Sequence, residues 1–180
     1  PYMQRVKDAK PDVLFAFVNG GDVAPAFMKE FKDKGLADAG IKLIGTGDIT
    51  DEPTLPAIGD KALDAVTVYP YSMDHRSELN RKFVQEVQAM RGKDARPTIM
   101  AVGAYDGMAV LYEALKKIKG EVTGEALLEA MKGVSVESPR GKITISANTR
   151  DVDQTQYIRR VERVNGGLAN VEFAEFADKK

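Results

Sequence analysis

The stretch Asp12-Val-Leu-Phe-Ala-Phe-Val-Asn-Gly-Gly-Asp22 decides how the rest of the chain is read. Six successive apolar residues, Val13 to Val18, predict a strand buried on both faces, and Asn19-Gly20-Gly21 predicts a turn that brings backbone close to whatever lies above it. Asp22 suits an N-cap and Pro25 the first turn of a helix, where a missing N–H costs nothing. Strand, glycine turn and helix start together make ligand-binding geometry in open α/β sheets, whose small molecules sit beyond the carboxyl ends of the strands. The pattern returns at once. Ile41 to Thr46 predicts a second strand, Gly47-Asp48 its turn, and Thr50-Asp51-Glu52-Pro53 another cap followed by proline. Between them Val23, Phe27 and Phe31 recur every fourth residue, which predicts a helix from Val23 to Lys34 stopped by Gly35. That is a βαβ unit, so the two strands should be parallel neighbours whose ends point the same way.

Upstream, Pro1 to Lys10 reads as most of a helix with Tyr2, Met3 and Val6 on one side. No initiator Met precedes it, and a chain opening in mid-helix is expected to be a fragment of something longer. Downstream, a short helix from Thr54 to Ile58 and a strand from Ala65 to Tyr69 lead into Pro70-Tyr71-Ser72. Helices are then predicted over 78–91, over 98–119 with apolar residues most of the way round its first half, and from Thr123 to Gly133. Only 134–136 and 142–145 read as strands among them, so these helices need a sheet that the chain barely encodes. The tail predicts a hairpin, with strands at 156–164 and 169–176 about the turn Asn165-Gly166, before an Asp178–Lys180 end expected to fray.

Lys and Arg number 26 against 27 Asp and Glu, and no basic stripe stands out to hold a phosphate backbone, so nucleic acid is not an expected partner. No run of 18 apolar residues marks a spanning helix, and no charged-then-apolar leader opens the sequence. The absence of Cys removes disulfides, zinc-thiolate sites and thiol nucleophiles together. His75 is the only histidine; it reads as a solvated loop residue, and no second histidine exists to pair on a metal. Asp48, Asp51 and Glu52 lack calcium-loop spacing, so neither metal nor other cofactor is expected.

Several segments in order resemble one family: the opening Pro1–Phe15 run, Phe27-Met-Lys-Glu-Phe-Lys-Asp-Lys-Gly35, Leu43-Ile-Gly-Thr46, Ala104-Tyr105-Asp106 and Ser138-Pro-Arg-Gly141. Together they resemble the C-terminal half of a branched-chain amino acid ABC transporter substrate-binding protein. The resemblance implies an α/β, class I periplasmic-binding fold, a two-lobed Venus flytrap of which this chain holds an incomplete part of both lobes. Residues 1–68 and 150–180 would belong to the second lobe and 70–148 to the first, with crossovers near 69–72 and 148–151. It further implies a periplasmic protein, or a lipid-anchored one in a Gram-positive organism. Its partners would be a small ligand (an amino acid or an aromatic or aliphatic carboxylate), a membrane permease, and a missing N-terminal half or a swapped copy.

The positions that the resemblance carries to the cleft are Asn19, Gly20, Gly21, Asp22, Thr46, Gly47 and Asp48, with Tyr71, Met100 and Tyr105 from the crossover and the first lobe. Asp48 reads equally as a contact for an α-ammonium and as a helix cap; Asp22 reads first as a cap. Tyr69 and Tyr71 either cover a ligand or pack beside the hinge, and Met100 and Tyr105 read first as core. No nucleophile stands paired with a base, so catalysis is not expected. Two rivals remain: a ligand-sensing domain of a receptor or regulator with the same fold, and a nucleotide-dependent α/β enzyme. Asn19-Gly20-Gly21 lacks the G-x-G-x-x-G spacing that the second would need.

Overall fold

The computed structural model describes residues 2–177, so Pro1 and the expected fraying at Asp178–Lys180 lie outside the described residues. In chain order the elements begin α1 (Tyr2–Ala9), β1 (Val13–Ala16), α2 (Val23–Asp33), β2 (Lys42–Thr46), α3 (Leu55–Ile58) and β3 (Val66–Tyr69), with 3₁₀ turns at Gly47–Thr50 and Gly59–Ala62. There follow α4 (Glu78–Arg91), α5 (Ile99–Lys117), α6 (Gly124–Met131), β4 (Ser135–Ser138), β5 (Gly141–Ile145), β6 (Val152–Asp153), β7 (Thr155–Val164) and β8 (Gly167–Ala177).

The predicted βαβ unit forms: β1 and β2 are parallel neighbours, and β3 joins β2 in the same sense. The β7–β8 hairpin, turning at Asn165-Gly166, then extends that sheet antiparallel through β3, giving the order β1-β2-β3-β7-β8. Helices α1 to α3 cover one face, where Met28, Phe31, Leu36, Leu43, Ile49, Leu55 and Ile58 close a single core. The other face departs from expectation. Phe15 is 63% exposed and Phe17 73%, so β1 is not buried on both sides. Along β2 the reason is plain: Leu43 is buried and Ile44 exposed, the period of a sheet with one covered face. Tyr2 and Val23, assigned to inward faces, are also exposed.

The second unit gathers α4, α5 and α6 with the three-stranded sheet β4-β5-β6. Val110, Ala114, Val134 and Ile143 form one of its cores, and Tyr71, Phe83 and Val102 another. Ser77, Thr98 and Thr123 each accept a backbone N–H of the first turn, capping the three helices close to where their sequence spans begin. Burial of α5 between layers does not follow: Met100, expected in the core, is 78% exposed, and Met108 and Tyr112 are exposed with it. Val152 and Asp153 still pair with β5, so the chain returns to the large sheet at Gln154 rather than within 148–151. His75 is not solvated. Its Nδ1 lies 2.8 Å from Glu172 and its ring packs 4.9 Å from that of Tyr157.

A buried polar cluster ties the two units together. The Glu52 carboxylate, nearly inaccessible, accepts from Arg96 at 2.6 Å, from the Met73 N–H at 3.3 Å and from Asn170 Nδ2 at 3.0 Å. Arg96 also donates to the carbonyls of Glu52 and Leu168. Thus the α4–α5 connection, the chain leaving β3 and the β8 strand all meet at one carboxylate. Removing the cation from a buried pair leaves a charge with no compensation, so Arg96→Ala should destabilise the fold by about 3 kcal/mol, the low end for such pairs because Arg96 keeps some exposure. Phe31→Ala should cost about 3–5 kcal/mol by emptying the core, whereas Phe15→Ala in the same 180-residue chain should stay within about 0.5 kcal/mol. Equilibrium urea unfolding of the three variants measures both contrasts.

Candidate functional site

The carboxyl ends of β1, β2 and β3 lie side by side, and the loops that leave them form an open floor. Asn19 and Gly21 are exposed, and Gly21 takes a φ of +72°, a backbone shape that glycine adopts without strain. A Cβ on Gly20 would lie 3.9 Å from both the carbonyl oxygen and Oδ1 of Asp48, so the turn after β1 runs beside the turn after β2. Asn19 and Gly20 leave one strand end, and Thr46, Gly47 and Asp48 the neighbouring one. The Thr46 hydroxyl is buried without a partner at the end of β2.

The third strand supplies what the sequence reading left open. Tyr69, last residue of β3, donates its hydroxyl to Asp48 Oδ1 at 3.2 Å. Its ring lies against Gly47, where an added Cβ would overlap the ring carbons, so position 47 must lack a side chain. Burial, and then the charges of Asp48 and Asp51, push the phenol well above its ordinary range, and it remains a hydrogen-bond donor at neutral pH. Burial likewise raises the Asp51 carboxyl, with the Glu52 and Asp48 charges adding to it and a backbone hydrogen bond opposing.

Beneath the floor lies Arg159, 1% exposed. Its Nε and Nη2 donate to Thr67 Oγ1 at 3.2 and 3.0 Å, its Nη1 to the Tyr71 carbonyl at 2.7 Å, and its Nη2 also to the Gly47 carbonyl at 3.4 Å. The guanidinium carbon sits 4.9 Å from the centre of the Tyr69 ring. Burial pulls its pKa down, opposed chiefly by the Glu52 charge, yet a guanidinium has ample range to stay protonated. Sequence reasoning passed over this residue. The available signal was the alternation of β7, which turns Tyr157, Arg159 and Val161 inward together and sets Arg159 opposite Thr67.

Four candidate residues sit otherwise than their first reading. Tyr71, expected at the cleft, is 1% exposed and its hydroxyl donates to Asn80, so it packs inside the second unit and has no face to offer a solute. Asp22 makes no capping bond: its φ and ψ of −69° and −20° are already helical, whereas a side-chain cap needs extended backbone. Glycine-turn geometry alone orders that helix start. Tyr105 is partly exposed, its ring edge-on to Phe83 at 5.4 Å, and Met100 stands exposed near the start of α5. A recess of about 430 Å³ opens at the opposite ends of β2 and β3, between Phe31, Lys32, Lys42 and Lys61, away from this floor.

The sequence profile of the family described as periplasmic binding protein matches residues 1–167. A curated relative, the Leu/Ile/Val-binding protein homolog 6 of Brucella melitensis, is 40% identical over 167 residues, covering 93% of this chain and 43% of its own length. Among solved structures, an ABC transporter solute-binding protein of Rhodopseudomonas palustris BisB5 in complex with 3,4-dihydroxy benzoic acid is 49% identical, with a TM-score of 0.91 over 100% of this chain and 49% of its own. The solute-binding protein of Rhodopseudomonas palustris HaA2 in complex with p-hydroxybenzoic acid is 36% identical, with a TM-score of 0.93 and the same coverage. The chain thus spans about half the length of the relatives it matches.

Because the Tyr69 ring occupies the space of a side chain at 47, Gly47→Ala should destabilise by about 1–3 kcal/mol through overpacking. In a Tyr69→Ala background that cost should vanish, a strong non-additivity between contacting positions. Denaturant unfolding of the four members of this cycle measures it.

Proposed function

The chain belongs to the periplasmic binding protein family, and from that premise we propose that it is part of the solute-binding component of an ABC transporter. It acts outside the cytoplasmic membrane, capturing a small carboxylate non-covalently and without chemistry, and presents it to a membrane permease. In this reading the unit built on the large sheet and the unit of α4 to α6 are portions of two lobes, the ligand lying between them. Closure stabilised by bound ligand changes the surface offered to the permease, through differential binding alone. The uncovered apolar face of β1–β3 and the exposed side of α5 supply surfaces for the remaining half of the molecule, in keeping with relatives about twice as long.

The ligand we assign is an aromatic carboxylate bearing a ring hydroxyl. The observation that carries this is likeness along the whole chain, at 49% identity, to a protein solved with 3,4-dihydroxy benzoic acid. The floor suits it, since Tyr69 presents an aromatic ring over Gly47 and Asp48 an acceptor beside it. A second reading, an aliphatic amino acid whose ammonium pairs with Asp48, draws support from the 40% identical relative named for Leu, Ile and Val.

A thermal-shift panel on the full-length protein carrying this sequence separates the two. Binding to the folded form alone stabilises by about 2.7 kcal/mol at a ligand concentration 100 times Kd. Melting should rise with 3,4-dihydroxybenzoate and 4-hydroxybenzoate and stay flat with leucine; a rise with leucine alone would replace this reading with the second.

A further inference from the structure

Tyr69 and Asp48 make a donor and acceptor pair whose capacity is only partly used. The phenol proton is spent on Asp48 Oδ1. Asp48 Oδ2 has no hydrogen-bond partner among the described residues, and a carboxylate offers about four lone-pair sites of which Tyr69 fills one. The phenol oxygen itself still has lone pairs to accept with. What is missing is one further O–H or N–H placed at the rim of the floor.

The pair is also rigid, which a mere surface hydrogen bond would not be. The Tyr69 ring is fixed from below by the Arg159 guanidinium and from the side by the backbone of Gly47, which Arg159 itself holds through the Gly47 carbonyl. Gly20 borders Asp48 on the β1 side, where an added Cβ would just reach its Oδ1 at 3.9 Å. Such groups lose little freedom on binding, so a ligand atom that completes them gains nearly the whole of the bond.

We propose that Asp48 and Tyr69 together read the ring hydroxyl of the solute: its O–H donates to the Asp48 carboxylate and its oxygen lies beside the Tyr69 hydroxyl, while its carboxylate points away from this floor. This inference rests on the aromatic-carboxylate reading above and adds the ligand's orientation and the source of its selectivity. An unsubstituted benzoate buries the same ring but leaves Asp48 without its donor, and a site built to bond a hydroxyl rejects the analogue lacking it strongly.

The test is the ratio of two dissociation constants, for benzoate and for 4-hydroxybenzoate, measured by isothermal titration on the full-length protein and its Asp48→Asn and Tyr69→Phe variants. The unaltered protein should prefer 4-hydroxybenzoate by about 10- to 100-fold, the range of one hydrogen bond to a charged group. In Asp48→Asn that preference should fall to within about threefold, and in Tyr69→Phe, where the carboxylate still accepts but has lost the phenol that orients it, it should fall by a smaller factor. A ratio is unmoved by partial loss of folded protein, which scales both constants alike. If both acids bind and the ratio is the same in all three proteins, the hydroxyl reader is wrong while the aromatic-carboxylate reading stands. If neither acid binds the unaltered protein and leucine does, that reading fails and takes this inference with it.

Discussion

A guanidinium with almost no access to water sets the terms for the carboxyl end of the large sheet's parallel strands. Arg159 stays charged at any pH the protein meets, so each of its N–H groups must find an acceptor inside the fold or carry a desolvation cost of about 1–3 kcal/mol. Four bonds meet most of that need, two to the Thr67 hydroxyl and one each to the Tyr71 and Gly47 carbonyls. These belong to β3, to the chain just beyond it, and to the turn after β2, three segments that separate strand pairing alone would not bring into register. The face of Tyr69 completes the shell, contributing the attraction of a ring quadrupole for a cation. A floor organised from beneath in this way exists before any solute arrives.

The second buried charge, Glu52, does for the connection between units what Arg159 does for the floor. Its carboxylate collects donors from the α4–α5 connection, from the segment leaving β3 and from Asn170 of β8. Asn170 in turn exchanges bonds with Thr50, and its carbonyl accepts the Ser72 hydroxyl. Taking away one of these donors would leave a buried charge short of compensation, so the contacts that tie the two units together here are not lost singly without cost.

Much of this architecture was legible because local chemistry and global packing agreed. The strand–turn–helix echo and the Asn165-Gly166 hairpin each rest on a short-range rule that the tertiary structure had no reason to override. The misreadings fall where two residues of one kind compete or where pattern is silent. Val13 to Val18 is a run without alternation, which fits a doubly covered strand and an uncovered edge equally well. Tyr69 and Tyr71 are separated by one residue, yet one ends a strand above the floor and the other enters a core; only the path of the chain after Pro70 tells them apart. Arg159 sits in the inward row of an alternating strand, a position that composition reserves for apolar residues, and a buried cation is credible only once its acceptors are in view. His75 escaped for the same reason, its partners Glu172 and Tyr157 lying about a hundred residues downstream in sequence.

The division of labour between the two units follows from where their unsatisfied surfaces lie. Polar groups at the floor are held by bonds internal to the large sheet and the chain that leaves it. Apolar surfaces are not: Phe15, Phe17, Met100 and Met108 stay open to water, each forgoing about 25 cal/mol for every square ångström that a neighbour would cover. The polar order at the strand ends therefore rests on short-range bonds that these residues already fix, whereas the exposed apolar side chains would add stability only where another surface covered them.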